Sequence, residues 1–121
     1  MTARPARILI ADDEADIVEM LQDLLVSEGY EVATAATGGE ALAAVDAFRP
    51  DVLLLDLAMP GISGTEVMET LRRRGVQLPV VVISGRLDAQ APAGVQVVDK
   101  PFSLSKVSRA VAAALGRAGD A

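Results

Sequence analysis

The sequence predicts an α/β domain, a five-stranded parallel sheet doubly wound with helices on both faces. Three observations predict it. Short, continuous apolar runs such as "ARILIA" (6–11), "VLLL" (52–55) and "PVVVIS" (79–84) lack the polar alternation of a half-exposed strand, so they read as strands buried on both faces. Between the runs lie segments whose apolar residues recur at helical spacing. Capping residues and glycines punctuate those segments at the expected ends.

Taken in order, "ARILIA" is the first strand. From Ala15 the period changes, and Ile17, Val18, Leu21, Leu24 and Leu25 fall on one helical face until Gly29 stops the helix. "YEVATAA" (30–36) alternates weakly and suits a second strand. Thr37 to Glu40 matches a capping box, and the helix behind it presents Ala41, Leu42, Val45 and Phe48 to the core before Pro50 closes the segment. "VLLL" is the third strand. Ser63 to Glu66 is a second capping box, opening a helix through Val67, Met68 and Leu71 to Gly75. "PVVVIS" is the fourth strand and "VQVV" (95–98) the fifth. A last helix spans 104–115, capped by Ser103, with Leu104, Val107, Val111 and Leu115 facing inward.

The connection from Ser84 to Val95 breaks the pattern. Its ten residues, "GRLDAQAPAG", sit at the lower limit for a parallel crossover and lack apolar periodicity. A fourth helix there is expected to be short or missing.

Composition narrows the function. The 121 residues fit one domain, 1–121, and at 51% hydrophobic with 2% aromatic the core is aliphatic. There is no cysteine and no histidine, so disulfides, thiolate sites and imidazole chemistry are excluded, and any bound metal takes oxygen ligands. A net charge of −6 argues against a nucleic-acid partner, no apolar run has the length of a membrane span, and the expected location is cytoplasmic.

Ligands of parallel α/β sheets bind beyond the carboxyl ends of the strands. The first strand ends in Asp12, Asp13 and Glu14, the third in Asp56, the fourth in Ser84, and Lys100-Pro101 follows the fifth. Clustered carboxylates repel unless something positive neutralises them, and a divalent cation does so. Mg2+ favours one or two carboxylates with waters and phosphate oxygens. Singly, each residue has a plainer reading. Asp12 and Asp13 suit a helix N-terminus, Ser84 is an ordinary strand-end hydroxyl, Lys100 an ordinary surface charge, and Glu14 helix-start charge. Their joint placement favours a site.

"ILIADDE", "LDLAMPGISG", "VVVIS" and "DKPFS", in that order and spacing, resemble the response-regulator receiver domain of two-component signalling over nearly the whole chain. The resemblance implies a flavodoxin-like fold and a phosphorylation-dependent switch. Asp56 would be the phosphoacceptor, taking a phosphoryl group from a histidine kinase or histidine phosphotransfer protein. Asp13, Asp56 and the Ala58 backbone carbonyl would hold Mg2+, with Asp12 acting through water. Lys100 would pair with phosphoryl oxygens, the Ser84 hydroxyl would donate to them, and Gly85 would leave them room. Pro101 would follow a cis peptide bond. Output would pass to a downstream protein target by contact or by onward phosphotransfer.

The sequence departs from the family at two places. The strand-five position that is commonly aromatic is Val97, which removes the usual coupling of that ring to the switch hydroxyl. The short 85–94 connection replaces a full helix, so signalling is expected through ordering of that segment. Ala58 and Arg86, at positions associated with phosphate lifetime, imply slow-to-moderate self-hydrolysis. Three competing functions remain. An aspartyl-nucleophile phosphatase needs an acid two residues after its nucleophile, where this chain has Ala58. A flavin or nucleotide module needs a phosphate loop where this chain has Asp-Asp-Glu. A pseudo-receiver binds partners without being phosphorylated, and the intact acids, Ser84 and Lys100 weigh against it.

Overall fold

The computed structural model describes residues 4–59, 61–85, 95–100 and 103–119. Five strands, β1 (Arg7–Ala11), β2 (Glu31–Ala35), β3 (Val52–Asp56), β4 (Val80–Ser84) and β5 (Gln96–Asp99), form one parallel sheet in the order β2-β1-β3-β4-β5. Four helices accompany them among the described residues: α1 (Ala15–Ser27), α2 (Gly38–Phe48), α3 (Gly64–Arg73) and α4 (Leu104–Gly119). The expectation of a short or missing helix between β4 and β5 falls on 86–94, outside the described residues, as does the Pro101 peptide bond.

Strand alternation divides the core into two layers. Ile8, Ile10, Leu54 and Ile83 face α1 and α4, where Leu21, Leu25, Val107 and Val111 meet them. Leu9, Ala11, Leu53 and Leu55 face α2 and α3, where Ala41, Val45, Val67 and Leu71 meet them. The apolar runs are continuous because both sets are buried. Leu54 is fully buried in the middle strand of the sheet. Leu54→Ala is expected to destabilise the fold by about 3 kcal/mol, and Val97→Ala, on the exposed side of an edge strand, by no more than about 0.5 kcal/mol. Thermal melts of the two variants check the contrast.

The helix ends follow the local signals, with two differences. Ser63 and Glu66 form a reciprocal capping box at the start of α3. At the start of α2, the Thr37 hydroxyl accepts from the Glu40 N–H at 3.1 Å, but the Glu40 carboxylate accepts from the Ala36 N–H at 3.0 Å, one residue earlier than a box requires. Ser103 caps α4, accepting from the Lys106 N–H at 3.2 Å. Leu104 does not face inward: it is 40% exposed, while Val107 and Val111 are buried and Leu115 is half-buried. Periodicity fixes the side of a helix on which a residue lies, not whether the partner surface extends to its first turn.

Candidate functional site

The strand order reverses between β1 and β3. The chain leaves β1 toward β2 on one side and returns to β3 on the other, which opens a crevice at the carboxyl ends of these two strands. Asp12 and Asp13 follow β1 directly, and Asp56 is the last residue of β3. Carboxylate oxygens of all three lie within 4.8 Å of one another, with Asp12 and Asp56 buried and Asp13 exposed.

Local hydrogen bonds set these side chains. Asp12 Oδ1 accepts the Glu14 N–H at 2.9 Å, and Asp56 Oδ1 accepts the Ala58 N–H at 3.1 Å. Each acid thereby braces the loop that follows its own strand. The Asp12 N–H donates to the Ala35 carbonyl at 3.0 Å, which extends the β1–β2 pairing by one residue.

The opposite wall comes from the other side of the sheet. The Lys100 N–H donates to the Ser84 carbonyl at 2.7 Å, tying the lysine to the end of β4. From there its side chain, 15% exposed, crosses to the acids. Nζ lies 3.2 Å from Asp12 Oδ2, 3.5 Å from Asp56 Oδ2 and 3.1 Å from Glu14 Oε1. Ser84 is buried beside it. A Cβ placed on Gly85 would meet the Lys100 Cβ at 3.6 Å, an ordinary contact, so the glycine packs beside the lysine stem without crowding it.

The electrostatics follow from burial. Burial pushes the Asp12 carboxyl above its ordinary value of 3.8, and the neighbouring Asp56 adds to the rise, while the Glu14 N–H and Lys100 offset only part of it. For Lys100, burial alone would lower the ammonium. The hydrogen bond to Glu14 and the charges of Asp12 and Asp56 outweigh it and hold the group above 10.5. An acid with a raised pKa binds its proton more tightly folded than unfolded, so its ionised form opposes folding as pH rises above 3.8. Asp12→Asn is therefore expected to melt higher than the natural chain at neutral pH in the absence of divalent cation. Added Mg2+ should narrow or reverse the difference, because the ion neutralises the acid it binds. Paired thermal melts with chelator and with Mg2+ read both signs.

The residues fit a hard cation. The donor set is all carboxylate oxygen, the group sits at a strand switch point, and the nearby acids outnumber the lone ammonium among the described residues around them. The cluster can therefore hold a metal ion.

The structure places Asp12, Asp13, Asp56, Ser84, Gly85 and Lys100 at one edge of the sheet. Ala58 enters through its N–H on Asp56. Val97 stands apart, on edge strand β5 and 45% exposed. Arg86 lies outside the described residues. Two features escaped the sequence reading. Glu14 is more than helix-start charge, since its carboxylate binds Lys100. Gly64 matters for packing: a Cβ there would lie 2.5 Å from the Asp56 carbonyl oxygen and 2.7 Å from the Leu57 Cα, so the first turn of α3 is seated on the Asp56 backbone. The only sequence signal for the second is a glycine at the first position of a well-capped helix, where most residues would serve.

The family model described as the response regulator receiver domain matches residues 8–112. The probable transcriptional regulatory protein TcrX of Mycobacterium tuberculosis is 35% identical over 96% of this chain and 52% of its own length. The transcriptional regulatory protein PrrA of the same organism is 37% identical over 94% of this chain and 52% of its own. The chain thus spans about half the length of these curated relatives. Among solved structures, the response regulator TrrA of Thermotoga maritima, in complex with Mg2+ and BeF, superimposes with a TM-score of 0.83 at 32% identity, covering 91% of this chain and 99% of that one. The receiver domain of the hybrid histidine kinase CckA gives 0.79 at 33% identity, covering 91% and 99%. An acid-lined strand switch point with a lysine reaching across it, on a chain matched over residues 8–112, places this protein in the response regulator receiver domain family of two-component signalling.

Proposed function

We propose that residues 1–121 act as a single receiver domain whose Asp56 accepts a phosphoryl group in the presence of Mg2+. The observation that carries this reading is the sharing of one 4.8 Å cluster by Asp12, Asp13 and Asp56 with Lys100 Nζ beside it. The TrrA likeness, in complex with Mg2+ and BeF, supports Mg2+ as the ion. Asp13 and Asp56 would ligate it with the Ala58 carbonyl, and Asp12 would act through water. Bound there, Mg2+ supplies charge neutralisation for the phosphoryl oxygens.

The chain's own residues do the rest. An Asp56 carboxylate oxygen attacks phosphorus and a P–O bond forms. The P–N bond to the donor's imidazole breaks, and the leaving nitrogen keeps the electron pair. Lys100 neutralises the oxygens of the group received, the Ser84 hydroxyl donates to one of them, and Gly85, with no side chain of its own, leaves them room.

Receiver domains of this family interact with histidine kinases, and a histidine kinase or histidine phosphotransfer protein is the donor we assign here. Among the described residues no helix is long and apolar enough to cross a membrane, and we place the protein in the cytoplasm, where a cysteine-free switch meets its donor. TcrX and PrrA are named as transcriptional regulators. With a net charge of −6, this chain itself is read as contacting a downstream protein rather than nucleic acid. It acts as a regulatory phosphoacceptor and not as a phosphatase, because Ala58 carries no acid to protonate a leaving group.

Incubation with Mg2+ and acetyl phosphate, followed by intact mass, tests the reading. One phosphoryl group is expected per chain, and none with chelator present. A chain that stays unmodified at saturating donor and Mg2+ would favour the pseudo-receiver instead.

A further inference from the structure

Glu14 occupies an unusual position. It is the N-cap residue of α1, yet its side chain makes no capping hydrogen bond. Its carboxylate turns to Lys100 instead, and the 3.1 Å contact is the shortest of that ammonium's three carboxylate contacts. The ammonium donates to Glu14 at 3.1 Å and to Asp12 at 3.2 Å, and Asp56 makes a longer ion-pair contact at 3.5 Å.

These partners differ in what happens to them on phosphorylation. Asp56 becomes an acyl phosphate and loses its carboxylate charge. Asp12 lies within the group that fits a cation. Glu14 lies outside that group, is 57% exposed, and keeps its charge throughout. It is therefore the partner outside the cation group from which Lys100 must be won by the incoming phosphoryl oxygens.

We infer that Glu14 is a positioning residue that holds Lys100 in the unphosphorylated protein, so that the phosphoryl group competes with Glu14 for the lysine. The inference rests on the assignment of Asp56 as the acceptor. Its consequence is a higher threshold for phosphoryl binding than the acids, Ser84 and Lys100 alone would set. Release of the lysine also returns a free carboxylate to the N-terminus of α1, where a negative charge stabilises the helix.

The chain has two lysines, Lys100 and Lys106, so amine acylation read by peptide mass reports on Lys100 with Lys106 as internal standard. In metal-free protein, Glu14→Gln is expected to raise the acylation of Lys100 relative to Lys106 by about 2- to 5-fold, the size an exposed ion pair supports. At saturating Mg2+, the same variant is expected to bind beryllofluoride, an acyl phosphate mimic, about 2- to 5-fold more tightly. Glu19→Gln removes the same charge one turn along α1 without touching Lys100, and should do neither. Unchanged Lys100 reactivity in Glu14→Gln, or equal effects from the two variants, would overturn the inference. If the natural chain fails to bind beryllofluoride at all, the acceptor assignment fails. The acylation comparison, made without metal or phosphoryl group, still decides whether Glu14 holds the lysine.

Discussion

Asp56→Asn is expected to abolish phosphoryl uptake from acetyl phosphate while leaving the fold intact. The amide is nearly isosteric with the carboxylate and its carbonyl oxygen can still accept the Ala58 N–H, which the natural side chain accepts at 3.1 Å. It also removes one charge from a pair of buried acids, Asp12 and Asp56, that repel one another in the absence of cation. Thermal stability without Mg2+ should therefore hold or rise. What disappears is the nucleophile, since an amide oxygen does not form a stable acyl phosphate. Intact mass after incubation with donor and Mg2+ reads the loss, which should be complete within detection. Circular dichroism on the same samples separates lost chemistry from lost structure. Uptake by Asp56→Asn at the natural rate would move the acceptor to another residue.

Gly64→Ala is expected to have the second largest effect, for a reason of packing rather than chemistry. Its Cβ would sit 2.5 Å from the Asp56 carbonyl oxygen and 2.7 Å from the Leu57 Cα. Both are backbone atoms and cannot swing aside as the tip of a side chain could. Either the first turn of α3 or the end of β3 must move. Overpacking of this kind costs about 1–3 kcal/mol, and here the displaced atoms belong to the acceptor. A shift of ~1 Å at a reacting group can lower a rate by about 100-fold, so phosphoryl uptake should fall by far more than the loss of stability explains. Gly39→Ala is the matched control. It lies in the first turn of α2 with open space around its missing Cβ, and replacing a helical glycine by alanine stabilises by roughly 0.5–1 kcal/mol. Thermal melts should move in opposite directions for the two variants, and only Gly64→Ala should slow uptake. Natural uptake rates in a folded Gly64→Ala protein would show that the seat of α3 does not position Asp56.

Much of this arrangement is legible in the sequence because the signals are local. Strands buried on both faces leave the continuous apolar runs of β1, β3 and β4, the edge strands β2 and β5 show as a weak alternation and a short valine-rich run, and all five fall within a residue or so of the sequence reading at either end. Ser63 and Glu66 announce the start of α3, and the glycines at 29 and 75 adopt the positive φ expected of helix stops. The acids, the hydroxyl and the lysine are legible as a set, because a parallel sheet brings every strand's carboxyl end to the same edge.

What remains hidden depends on distance in three dimensions. The reach of Lys100 to Glu14 links residues 86 apart in sequence through two long side chains, and no spacing rule anticipates it. The exposure of Leu104 depends on where α4 begins relative to the surface it covers, which periodicity does not report. The contact of Gly64 with the Asp56 backbone depends on the approach of a helix to a strand end, and a glycine in "GISG" reads equally well as a turn. The shift of Glu40 from Thr37 to Ala36 at the α2 cap is a choice between adjacent N–H groups that the sequence pattern leaves equivalent.

The gathering of Asp12, Asp13 and Asp56 around a single cation is tested most directly by calorimetric titration of the metal-free protein with Mg2+. One ion per chain is expected to bind, with affinity falling at least about 10-fold in Asp13→Asn, as removal of a charged ligand predicts, and unchanged in Glu69→Gln on the exposed side of α3. Equal affinity in the natural chain and in Asp13→Asn, or saturation at a stoichiometry other than one, would contradict it.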